Sequence, residues 1–170
     1  MLQKLQKRKQ EQNGFTIIEV LIVLAIAGLI LLIVFLAVPA LERNAHNTSI
    51  KNDVAGILGA MNEYENNNNG TVATVVGMST TGNPTVYVGN TQAICTSTPA
   101  DNCATAKLGY ITAVNSPTST ITTTVPAIGT VDLFTTAVCN GNTPTATGAT
   151  ARNYVAFYQL EGGAIECQAS

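Results

Sequence analysis

The sequence predicts an α+β fold, in which a long N-terminal hydrophobic helix packs on a small antiparallel β-sheet domain. Three observations predict it. An apolar run from Phe15 to Val38 follows a short basic segment, the apolar positions take helical spacing beyond Pro39, and from Thr71 the chain turns to short alternating or β-branched runs. At 170 residues the chain has room for one modest domain and an anchor. Its composition is 46% hydrophobic and 11% charged, and because the hydrophobicity is concentrated near the N-terminus the average describes two different polymers.

Residues 1–14 are polar and charged and end in Asn13-Gly14, a poor pair for continuing a helix. They are expected to be a detachable basic leader. Residues 15–66 are expected to form the long helix, with two parts. Over 15–38 only Thr16 and Glu19 interrupt the apolar run, about 24 residues or about 36 Å of helix, enough to cross a bilayer. Over 39–66 the helix turns amphipathic: Ala45, Ile50, Val54, Ile57, Leu58, Met61 and Tyr64 form an apolar stripe, while Glu42, Arg43, Lys51, Asp53 and Glu63 are assigned elsewhere. It should stop in the turn-forming Asn66 to Gly70.

Residues 71–170 are expected to form an extracellular β-rich domain. Strand-like runs lie at Val72 to Val76, Thr85 to Val88, Gly109 to Val114, Ser119 to Val125 and Val131 to Val138. The clearest pairing is a hairpin in which Tyr154 to Leu160 and Ala164 to Cys167 flank Glu161-Gly162-Gly163. The low charge and abundant Thr and Asn also fit a disordered, glycosylated stalk, with Asn47-Thr48-Ser49 and Asn69-Gly70-Thr71 as short acceptor patterns. Ordinary loop or helix residues are the simpler reading of those patterns.

Charge orients the apolar run. Lys4, Lys7, Arg8 and Lys9 precede it, and the rest of the chain holds only Arg43, Lys51, Lys107 and Arg152. Positive flanks stay cytoplasmic, so everything beyond the run should face outward. Loss of the leader would make the product more acidic than the net charge of −2, which gives no support to direct nucleic-acid binding.

Cys95, Cys103, Cys139 and Cys167 all lie in the part expected outside, where disulfides persist. Three pairings are possible. Loop-closure entropy favours Cys95 with Cys103 and Cys139 with Cys167. No Cys-x-x-Cys is present, and the single histidine, His46, is distant in sequence, so no metal site or other cofactor is expected. An enzyme is not expected either, since no nucleophile motif is present and Asp101, Asp132, Glu161 and Glu166 are scattered.

The most specific feature is Gly14-Phe15-Thr16-Ile17-Ile18-Glu19 leading into Val20 to Gly28. It closely resembles the class III signal of type IV prepilins and the related pseudopilins. The resemblance implies cleavage between Gly14 and Phe15 by a membrane-embedded prepilin peptidase and N-methylation of Phe15. It also implies handling by the inner-membrane pilus assembly machinery, a membrane-inserted state before assembly, and a homo-oligomeric helical filament outside the cell. Glu19 would set register by meeting the new α-amine of a neighbouring subunit. Gly28 and Pro39 would weaken the helix, although Pro39 lies beyond the position, here Leu36, where that family usually carries its proline. The Cys139 to Cys167 segment resembles the C-terminal disulfide loop of many pilins.

Residue chemistry agrees, because an ionised carboxylate at the edge of an apolar span is costly unless it is paired or hydrated. Other readings are an ordinary single-pass anchor with Glu19 hydrated among headgroups, and a secretory signal cut near Val38-Pro39-Ala40. The second fits poorly, because the apolar run exceeds the 7–15 residues usual for such a core. A pseudopilin of a secretion piston and a membrane-anchored binding module that never polymerises remain the functional alternatives.

Overall fold

The computed structural model describes residues 14–79, 84–90 and 103–170. Residues through Leu41 and residues from Glu42 onward form two units. Helix α1, Ile17–Asn67, contributes to both and passes through Pro39 while remaining helical. It ends where the sequence supplies left-handed backbone: Asn69 has φ 55° and Gly70 φ 81°, and the Gly70 N–H returns to the Glu65 carbonyl at 2.8 Å. A side chain at Gly70 would also meet the Arg152 guanidinium at 2.5 Å.

The unit from Glu42 onward contains nine strands among its described residues: β1 (Val75–Ser79), β2 (Thr85–Gly89), β3 (Ala104–Lys107), β4 (Ala113–Thr118), β5 (Thr130–Thr135), β6 (Val138–Asn140), β7 (Thr143–Thr145), β8 (Tyr154–Gln159) and β9 (Ile165–Ala169). β1, β2 and β3 form an antiparallel sheet, and β6 pairs with β7. The larger sheet has the order β4-β5-β8-β9. It is antiparallel except that β4 runs parallel to β5, so the domain is mixed. That parallel pair requires the long connection 119–129.

The apolar stripe of α1 packs on these sheets. Ile50, Val54, Ile57, Leu58, Met61 and Tyr64 are buried with Val86 and Val88 of β2, Val131 and Leu133 of β5, and Ala156 and Tyr158 of β8. The remaining alternation of the larger sheet makes a second core, in which Phe134, Val155 and Phe157 are buried against Ile121, Cys139, Ile165 and Cys167. Strand β8 is therefore buried on both faces, which explains its nearly unbroken apolar sequence.

Five sequence expectations are corrected. Asp53, assigned to the polar side of the helix, is 6% exposed. Its Oδ1 accepts the Gly109 N–H at 2.8 Å, and its Oδ2 accepts those of Tyr110 and Ile111 at 2.7 and 2.9 Å. Those three amides are consequently withdrawn from the strand expected from Gly109, which begins only at Ala113. Ala45, placed in the apolar stripe, is exposed. Ser119 to Val125 is not a strand: Pro117 and Pro126 flank it, and apart from Ile121 its side chains are exposed, so its alternation buries almost nothing. The Val131 to Val138 run divides at Thr136, which has φ 55°, into the separate strands β5 and β6.

Candidate processing and assembly site

Gly14, Phe15 and Thr16 lie outside regular structure immediately before α1, with Phe15 89% exposed. The helix starts at Ile17 because Thr16 caps it. The Thr16 hydroxyl oxygen accepts the Glu19 N–H at 3.3 Å, while Glu19 Oε2 accepts both the Thr16 N–H and the Thr16 hydroxyl at 2.8 Å. This reciprocal arrangement is a capping box, which satisfies amides that a helix start leaves without intrahelical partners. Sequence reasoning treated Thr16 only as a polar interruption. The Thr-x-x-Glu spacing before an apolar run was the signal that could have found it.

Glu19, then, is not an acid without a partner. Its carboxylate is held by its own helix terminus, where the backbone dipoles also favour negative charge. The contact leaves Gly14 and Phe15 in non-helical, exposed backbone.

Beyond this cap, every residue from Val20 to Ala45 is exposed. Leu21, Leu24, Leu32 and Phe35 keep between 59% and 76% of their surface open. The helix is long and apolar enough to cross a membrane. At Gly28 an added Cβ would meet nothing within 4 Å, so packing inside this chain does not require glycine there. Pro39 lies inside the helix and cannot donate a hydrogen bond to the Phe35 carbonyl.

The remaining named residues lie in the globular unit. Cys139 of β6 and Cys167 of β9 are joined by a disulfide with Cα atoms 5.7 Å apart. Cys103 is also disulfide-bonded, and Cys95, its expected partner, lies outside the described residues. His46 is on α1, where its Nδ1 lies 2.7 Å from Glu161 Oε1.

Residues 9–35 match the family described as the prokaryotic N-terminal methylation motif. No curated protein and no solved structure matches the chain. The family match spans the Gly14-Phe15 junction, the capping box and most of the exposed apolar run, and ends before the globular unit. The chain thus carries the N-terminal methylation signal characteristic of type IV pilin-like proteins, on a helix long and apolar enough to span a membrane.

Proposed function

We propose that this chain is the precursor of a structural subunit of a type IV pilus. Prepilin peptidase cuts between Gly14 and Phe15, Phe15 is N-methylated, and the inner-membrane assembly machinery polymerises the product into a surface filament. The observation that carries this reading is the methylation motif over residues 9–35 on a helix whose apolar side chains from Val20 to Val38 find no cover among the described residues. An anchor needs only hydrophobic length, whereas this one begins with a glycine, a capped helix start and a carboxylate one turn inside.

The capping box supplies a physical sequence of events. Before the cut, Thr16 satisfies Glu19 locally. The cut replaces a neutral peptide by an ammonium group at Phe15. In a water-poor environment that charge needs a counter-ion, and Glu19 of an adjoining subunit supplies one as the helices come side by side. A repeating, non-closing contact of this kind gives a helical fibre. The segment 15–38 would form the filament core and the globular unit its outer face, a structural role without catalysis.

The test is mass spectrometry of the N-terminal peptide from fibres sheared off cells. Material beginning at N-methylated Phe15 is expected, and recovery of only uncut, cell-bound chain would reject the reading. Glu19→Ala should still be cut but yield few sheared fibres. Gly14→Val should remain uncut. Wild-type fibre yield from Glu19→Ala would remove the assembly role of the acid.

A further inference from the structure

The β8–β9 hairpin turns through Glu161, Gly162 and Gly163, whose glycines take φ values of 100° and 87°. The Leu160 N–H closes the turn on the Ala164 carbonyl at 2.8 Å. This tip is fastened to α1 through Glu161. The Glu161 N–H donates to Asn47 Oδ1 at 2.8 Å, and its carbonyl accepts from Asn47 Nδ2 at 3.4 Å. On the side chain, Oε1 accepts the Tyr110 hydroxyl at 2.5 Å and His46 Nδ1 at 2.7 Å. The His46 and Tyr110 rings lie against each other with centroids 4.8 Å apart.

The geometry points to an acid-released clasp: ionised Glu161 gathers His46 of α1 and Tyr110 of the β3–β4 connection onto one carboxylate oxygen, and its protonation releases these two side chains, leaving the hairpin tip held to the helix by the Asn47 bonds to the Glu161 backbone. Two donors converging on a single oxygen favour an anion, since a neutral carboxyl is a weaker acceptor and brings a proton of its own. His46 can donate from Nδ1 whether its ring is neutral or cationic, so the carboxylate is the member whose protonation breaks the set.

Other charged groups lie on the same two elements. Arg43 of α1 adds a favourable field. The hairpin's other acid, Glu166, is engaged by Lys51 of α1 at 2.8 Å and by the Tyr158 hydroxyl at 3.0 Å. Tyr110 is pinned through its backbone N–H to Asp53.

The hydrogen bonds from Tyr110 and then His46 hold the Glu161 carboxyl below its ordinary range. A group lowered in the folded state contributes stability above its unfolded pKa, about 4.3 for glutamate, and loses it as pH falls through the folded value. The clasp is therefore closed near neutrality and opens in acid. This inference does not depend on the filament reading.

Hydrogen–deuterium exchange of the full chain in detergent micelles, compared at about pH 7 and about pH 2.5 with labelling times scaled for intrinsic exchange, tests it. In the wild type, protection of residues 158–165 relative to β5 should drop on the order of tenfold in acid. Glu161→Gln should show most of that loss already at neutral pH and little further change. Tyr110→Phe, which keeps the His46 contact, should fall between. Wild-type protection in Glu161→Gln at neutral pH, or an unchanged acid response in that variant, would overturn the clasp.

Discussion

Replacing Asp53 should be the most damaging single change on the outer half of α1, and the two atoms of its carboxylate set the size of the effect. Oδ1 takes one backbone N–H and Oδ2 takes two, all between 2.7 and 2.9 Å, on a residue that is 6% exposed. Hydrogen bonds to a charged group contribute about 1.5–3 kcal/mol each, and a buried donor left without a partner costs about 1–3 kcal/mol. Asp53→Ala removes all three acceptors. Partial entry of water beside the loop should limit the loss to about 3–5 kcal/mol, a large share of the about 5–15 kcal/mol that holds a typical domain together. Asp53→Asn separates charge from shape. Its oxygen can face Tyr110 and Ile111, but its NH2 then points at the Gly109 N–H, donor against donor, so about 2–3 kcal/mol should still be lost. Urea unfolding of the full chain in mild detergent, followed by tyrosine near-ultraviolet circular dichroism, measures both. Asp53→Asn within about 0.5 kcal/mol of wild type would refute the argument that three amides need an anionic acceptor.

Two further outcomes follow from the same unit. Cys139→Ser with Cys167→Ser opens a loop with a sequence separation of 28, for which chain entropy gives a loss of about 3–4 kcal/mol, readable as a lower urea midpoint with unchanged helix content. An equal midpoint would show that the apolar packing of Phe134, Val155 and Phe157 holds this region unaided. In alkali, the Tyr154 hydroxyl is pushed up to about 12, first by burial and then by the nearby Glu65. A raised folded value gives stability that is present below the unfolded pKa of about 10 and is lost as pH rises through the folded one. Thermal unfolding should therefore weaken from about pH 10 upward, and less steeply in Tyr154→Phe; parallel curves would remove Tyr154 as a cause.

The inner stripe of α1 was legible because helical periodicity reports the face that is buried, and Ile50, Val54, Ile57, Leu58, Met61 and Tyr64 all lie there. Asp53 has the same spacing, three residues after Ile50 and one before Val54, and was assigned outward because of its charge. Spacing alone would place it on the buried side; what the sequence does not display is a loop 56 residues away offering three amides. The β8–β9 hairpin was legible from its glycine turn and alternation. Strands β3, β6 and β7 were not, because 3 or 4 residues hold too few alternations to stand out from the Thr-rich connections. The same ambiguity made 119–125 resemble a strand. Around Gly14, the Thr16–Glu19 cap went unread although all its partners lie within one helical turn and its Thr-x-x-Glu spacing is a local signal. The Glu161 contacts with His46 and Asn47 cross more than a hundred residues and have no local signature.

One helix therefore has two parts with different burial requirements, and the described strands meet only one of them. From Ile50 to Tyr64 the apolar stripe is covered by the chain's own strands, and Asp53, Lys51 and Asn47 bind named groups on the globular unit. From Val20 to Ala45 no such cover exists among the described residues, although this is the more apolar part. Lipid alone could satisfy those aliphatic side chains, and in lipid they would have no hydrophobic reason to associate, since neighbouring tails are equally apolar. What distinguishes one neighbour from another in such a setting is polar: a carboxylate on the first turn and, after a cut at Gly14, an amine beside it. On the proposed reading, then, the aliphatic surface supplies the filament's packing, while Glu19 and the Phe15 amine decide which helix packs beside which and at what height.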